Sequence, residues 1–280
     1  MTFKQSLLGT WAISVYTWRE GMRKKTLIGF LLLSLLVILG STFMTAFMTE
    51  ASIGENLQAS ADTKIIKDIC VSAISVFGIL ITIFISASVV PTEVENRVIY
   101  TILSKPVRRF QYLLGKFIGV QLIVIINLVL MTALFFVALL IKEGVMPTLL
   151  LWSALLTYFQ FLIVSAFTFA ISCLSSSPVM PTIGGLFIYI TGNLTEYLKD
   201  VSNRAASGEG FIDSILANVA KWLYDILPNL RSFSLRNEIL YLPANDPPTD
   251  VMIPNLIAYG LAYGLAGYLL AFWLFRRREL

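Results

Sequence analysis

The residues able to do chemistry are crowded into one stretch of this chain. Between two long apolar runs, the segment from Pro91 to Phe117 holds Glu93, Glu95, Arg97, Lys105, Arg108, Arg109 and Lys116 in a sequence that otherwise avoids charge. Val98, Ile99, Ile102 and Leu103 form a short apolar stripe among them. Acids at the start of such a stripe and a base at its end complement a helix macrodipole, and Pro106 disfavours helix through Lys105. The pattern predicts a short helix across a membrane surface, then a turn carrying Arg108 and Arg109. Its chemistry is recognition: charged and apolar groups offered together to a partner. A solvated basic loop that only sets orientation is the other reading, and it leaves the apolar stripe unexplained.

Elsewhere little could support covalent chemistry. The chain has no His and 2 Cys, and no Asp, Glu, Lys or Arg interrupts its long apolar runs. Proton-driven transporters and intramembrane acid–base enzymes usually need an ionisable group at depth, at a cost of about 2.5–3.5 kcal/mol. The energy source is therefore expected outside this chain. Gly115-Lys116 resembles the end of a phosphate-binding loop, but Phe117 stands where Ser or Thr is required, and no Gly lies five residues before Gly115. No ATP site, metal site or catalytic group is expected. Ser72, Ser75, Thr82 and Ser86 share one helical face and could line a path, although such hydroxyls commonly bond back to their own helix. Asn127 and Gln160 are the strongest buried amides, open to interhelical hydrogen bonding or to substrate contact. Asn193-Leu-Thr195 matches a glycosylation acceptor but falls inside an apolar run.

The elements that must position these groups follow from composition. Of 280 residues, 57% are hydrophobic and 14% charged, with a mean hydropathy of +0.79, whereas soluble domains carry about 25% charged residues. This is an integral membrane protein. Residues 26–48, 69–90, 117–141, 148–174, 179–195 and 254–275 are apolar runs that could each cross a bilayer. About 20 helical residues cover a hydrocarbon core of about 30 Å, and only the fifth run is short. Membrane strands would alternate polar with apolar residues, and these runs do not. The expected fold is all-α, a single domain with six transmembrane helices.

An even number of spans puts both termini on one side together with residues 91–116. That side carries 13 of the 21 basic residues and 4 of the 17 acidic ones, so both termini are expected in the cytoplasm. The basic balance then reflects topology and anionic lipid, not nucleic acid. A polar segment of about 25 residues precedes a first run too long for a signal-peptide core, which is expected to stay as an anchor. Within residues 1–25, Phe3, Leu7, Trp11, Val15, Trp18 and Met22 recur at helical spacing, which predicts an amphipathic helix in the membrane interface. Residues 196–253 form the one sizeable outer loop. In it Phe211, Ile212, Ile215, Leu216, Val219, Trp222, Leu223, Ile226 and Leu227 make an apolar stripe that serves as a gate or as a packing lid. Gly260 and Gly264, continued by Gly267 and Ala271, offer a small-residue face for helix packing or for a dimer. Cys70 and Cys173 lie at opposite ends of their runs, too far apart for a disulfide.

Three stretches carry a family likeness. Glu93-Val-Glu95 with Arg97, then Thr101-Ile-Leu-Ser-Lys-Pro-Val-Arg108, then Leu114-Gly-Lys116, resemble the first cytoplasmic loop of ABC type-2 exporter permeases. They are particularly similar to the branch containing the permease of the nitrous-oxide-reductase copper maturation transporter. The layout of the whole chain is similar, and Leu227-Pro-Asn-Leu230 resembles a recurrent stretch of the outer loop. The resemblance implies a non-enzymatic permease subunit of a prokaryotic inner-membrane exporter, paired with a second permease chain. It also implies a separate cytosolic ATP-binding subunit that holds the ATP and magnesium. Carried over by position, Glu93, Glu95 and Arg97 would be polar docking contacts and Val98 to Leu103 the buried face. Lys105, Arg108 and Arg109 would be the arm joining that face to the third span. A membrane scaffold that recruits a cytosolic partner without transport is the alternative, and a lipid-modifying enzyme is a further one.

Overall fold

A computed structural model describes residues 3–51, 56–96, 109–143, 147–195, 197, 218–219, 221, 224, 227–241 and 253–277. Among the described residues no strand occurs. α1 covers Phe3–Met22, α2 Lys25–Ala51, α3 Asn56–Glu95, α4 Arg109–Glu143, α5 Thr148–Leu174 and α6 Val179–Asn193. A 3₁₀ turn at Arg231–Phe233 follows, then α7 at Arg236–Tyr241 and α8 at Ile253–Arg277.

Five helices are long and apolar enough to cross a membrane: parts or all of α2, α3, α4, α5 and α8. The fifth apolar run of the sequence becomes α6, whose 15 residues span about 22 Å at about 1.5 Å each, short of the hydrocarbon thickness. Gly192 marks its end. A Cβ there would meet the Leu230 side chain at 2.6 Å, and the Leu230 amide donates to the Gly192 carbonyl at 3.0 Å.

α5 is the hub. It is apolar all round, as a helix buried on most sides must be, and α3, α4, α6 and α8 all pack on it. Its contact with α8 is made by the small-residue face. Cβ atoms on Gly260, Gly264 and Gly267 would lie 2.9, 3.1 and 2.8 Å from Phe159, Leu162 and Ala166. This face is therefore used within the chain, and close backbone approach replaces the hydrophobic drive that lipid removes. On the α6 side, a Cβ on Gly185 would lie 2.4 Å from the Thr168 hydroxyl and 3.0 Å from Ile83 of α3.

α1 docks along α4, and its contact face differs from its apolar stripe. Thr10, Ser14, Thr17 and Gly21 are buried, whereas Leu8 and Trp11 are exposed. Small side chains face α4 because Gly115 and Gly119 bring the backbones together. A Cβ on Gly115 would lie 2.8 Å from the Thr10 carbonyl, and one on Gly119 2.9 Å from that of Ser14. Ile13, Trp18 and Met22 pack against the core beside these small residues, and Leu8, Trp11 and Tyr16 are left to the outside of the bundle.

α3 departs most from expectation. It has 40 residues and runs through Pro91 to Glu95, so Glu93 and Glu95 close a helix where the sequence pattern has them opening one. An interior Pro forfeits one backbone hydrogen bond and crowds the preceding turn, but this one lies a single turn from the helix end. At a C-terminus the macrodipole disfavours an acid, so a buried carboxylate there needs a strong partner. In the first half of α3, Asp68 receives Arg236 of α7, with Nε at 2.8 Å and Nη2 at 2.6 Å. Most of the predicted outer stripe, including Phe211, Ile212, Ile215, Leu216, Trp222, Leu223 and Ile226, lies outside the described residues.

Candidate functional site

Of the recognition segment, Arg97, Val98, Ile99, Ile102, Leu103, Lys105 and Arg108 lie outside the described residues. Its two anchors are described: Asn96 follows the end of α3, and Arg109 opens α4. Glu95 and Arg109 are exposed there. Glu93 is not; its residue is 3% exposed.

Glu93 accepts from both the Tyr112 hydroxyl, on Oε2, and the Lys116 ammonium, on Oε1. Lys116 is 1% exposed and Tyr112 0%. The Lys116 ammonium also lies 5.3 Å from the centre of the Tyr16 ring of α1 and 6.0 Å from that of Tyr112, within reach of the attraction between a cation and an aromatic face. One turn earlier on α3, Ser88 accepts from the Lys24 ammonium at 2.8 Å, and Lys24 belongs to the turn between α1 and α2. Burial, helped by the nearby Lys116, pushes the Lys24 ammonium below its ordinary value, against the pull of Glu20 and Glu93. The remaining space among Thr17, Glu20, Lys24, Val89 and Lys116 amounts to about 10 Å³.

Three polar contacts thus close a triangle: α1–α2 turn to α3, α3 to α4, and α4 back to α1. Aromatic packing holds the same end of α4 from the other side. Tyr112 stacks on Phe275 of α8 at 5.8 Å, Phe110 meets Tyr268 and Phe272 edge-on, and Phe117 lies 5.5 Å from Phe169 of α5. A buried ion pair gains little over an apolar replacement, but losing one partner is costly. Glu93 and Lys116 therefore demand each other.

The sequence placed Glu93 at a partner's surface and gave Lys116 no partner, only a failed phosphate loop and a place in the Leu114-Gly-Lys116 stretch of the family likeness. The available signal was their placement: Glu93 stands just past the end of one apolar run and Lys116 just before the next, so two antiparallel spans bring them level. Tyr112 carried no signal by spacing.

The six path candidates lie on three helices: Ser72, Ser75, Thr82 and Ser86 on α3, Asn127 on α4 and Gln160 on α5. Ser75, Thr82 and Ser86 donate to the carbonyls of Val71, Gly78 and Thr82 at 2.9, 2.8 and 2.7 Å. Back-bonding is the role these contacts give them. Ser72 is partly exposed, and Gln160 is buried on α5. Asn127 donates to the Ile123 carbonyl at 2.8 Å, and its buried Oδ1 has no partner among the described residues. Ser75 lines, with Thr132, Ser153 and Thr157, a cavity of about 20 Å³, room for about one water. Two wider grooves, of about 630 and 520 Å³, flank the half of α4 from Ile125 to Ile141 and are almost wholly apolar. Interhelical bonding by an amide falls to Gln121, which donates to Ser165 of α5 at 2.7 Å.

Leu227-Pro-Asn-Leu230 is a plug. Leu230 and Phe233 are fully buried, the Asn229 amide donates to the Tyr259 hydroxyl of α8 at 3.0 Å, and Tyr259 packs on Phe233. The stretch ties the end of α6 to α8. Cys70 and Cys173 are buried and are not joined in a disulfide, and among the described residues no cluster of His, Cys, Asp or Glu could hold a metal ion.

A family model described as ABC-2 family transporter protein matches residues 11–280. No curated protein matches the sequence.

Proposed function

Because the chain belongs to the ABC-2 family of transporter proteins, whose members supply the membrane-spanning part of ABC transporters, we propose that it is an export permease driven through residues 93–109. A separate cytosolic subunit binds and hydrolyses ATP with magnesium and docks on that segment. Glu95, Arg97 and the stripe Val98, Ile99, Ile102 and Leu103 make the contact. Lys105, Arg108 and Arg109 lead from it into α4. Two permease chains pair in a prokaryotic inner membrane with their termini in the cytoplasm, and substrate passes where they meet. Ser72 and Ser75, which keep some exposure, are the hydroxyls we assign to that path. The narrower copper-maturation branch rests on the first loop and on Leu227 to Leu230 alone.

The observation that carries this reading is the construction of the loop's two anchors. Exposed Glu95 and Arg109 stand beside a buried charge cluster that binds α3 and α4 together, as a segment built to receive force requires. The test is charge reversal of Glu95 and Arg97 together (E95K/R97E). Loss of the ATP-binding subunit on affinity purification is expected. Copurification at the wild-type level would show that docking occurs elsewhere. A scaffold without transport would bind the same subunit, yet its complex would give no ATP-dependent movement of the spans.

A further inference from the structure

We propose that Glu93, Tyr112 and Lys116 form a clamp that turns the ends of α3 and α4, with α1, into one moving part. A push on residues 97–108 then reaches three helices together. The proposal rests on the reading that a cytosolic ATPase acts on that segment, and it adds how the action is passed on.

Three observations carry it. First, the clamp lies next to both anchors of the segment: Glu93 is in the last turn of α3, and Lys116 is in the second turn of α4. Second, each member is more than nine-tenths buried, so the pair cannot open without leaving an unpaired charge out of water, an arrangement disfavoured on the order of a hundred- to a thousand-fold. Third, the polarity is wrong for simple stabilisation. A carboxylate in the last turn of a helix opposes the macrodipole, where a lysine would be favoured. The anion is held there by the Lys116 and Tyr112 donors, so the end of α3 depends on the position of α4. Lys116 extends the link to α1 through the Tyr16 ring, and Lys24 on Ser88 closes it. These are positioning residues; they need touch neither substrate nor nucleotide.

The test uses the full chain in complex with its ATP-binding subunit, in lipid nanodiscs. Spin labels are placed at Trp11→Cys on α1 and Val179→Cys at the start of α6, residues 59% and 64% exposed; the native cysteines are buried. The label distance is measured without nucleotide and after trapping with ATP and vanadate. Wild type is expected to show a shift. Glu93→Gln with Lys116→Met removes the charges but keeps the volume; this pair is expected to copurify with the ATP-binding subunit and to lose at least half of the shift. Glu93→Lys with Lys116→Glu restores a pair, with the lysine now where the α3 dipole favours it, and is expected to keep most of the shift. A full shift in the neutral pair, or a swap that assembles but has lost its shift, overturns the clamp. If the neutral pair does not assemble, the swap alone decides. A wild-type complex with no shift overturns the docking reading itself, and the clamp with it.

Discussion

At the scale of the residue, the chain keeps its charge out of the bilayer by neutralising it at the edge. Lys116 and Glu93 flank two successive apolar runs, and each is buried only because the other is. Lys24 is a looser case, since it has a hydroxyl partner and carboxylates farther away. Its pKa is lowered from 10.5. Between the lowered value and 10.5 the unfolded chain therefore binds more protons than the folded one, and stability from this group rises with pH. Compared with Lys24→Gln, wild type is expected to gain in melting temperature as pH is raised from 7.5 toward 10. A difference in melting temperature that stays flat over that range would show that Lys24 is not desolvated.

At the scale of the element, glycine and hydroxyl residues decide which helices touch. α1 meets α4 through Thr10, Ser14 and Thr17 against Gly115 and Gly119, and α8 meets α5 through Gly260, Gly264 and Gly267. Lipid is as apolar as leucine, so close approach and dispersion hold these pairs. Gly119→Leu is expected to overpack the contact, at a cost of about 1–3 kcal/mol. Its sign is faster trypsin cleavage within Arg19–Lys25 while the spans remain folded; an unchanged cleavage rate would mean that α1 is held by its tryptophans and lipid alone. The α8 face was legible in advance as a run of small residues. The α1 face was not, because the eye follows Trp11 and Val15, while the contact is made by the small hydroxyls one step round the helix.

At the scale of the whole molecule, orientation follows from where lysine and arginine fall. If α6 completes a crossing with the residues that follow it, an even number of spans leaves both termini in the cytoplasm. Single cysteines at Leu8, Val179 and Trp273 are then expected to react with an impermeant maleimide only from inverted vesicles. Labelling of Trp273 from right-side-out cells, with Leu8 and Val179 still silent, would leave α6 on the inner side and change the parity. Here the 15 residues of α6 matter, because length alone does not carry them across.

The sequence by itself determined the membrane class, the helical architecture, the family likeness of the first loop and the separation of the cysteines. Those properties depend on composition, on apolar runs and on local spacing, all of which act within about 20 residues. Only the tertiary structure decided that Glu93 ends a helix, that Tyr112 and Lys116 are its partners, that α1 turns its hydroxyls to α4, and that Leu230 plugs the end of α6. These contacts join residues from different helices, and their energy comes from burial and pairing. No window along one helix contains both members of such a pair.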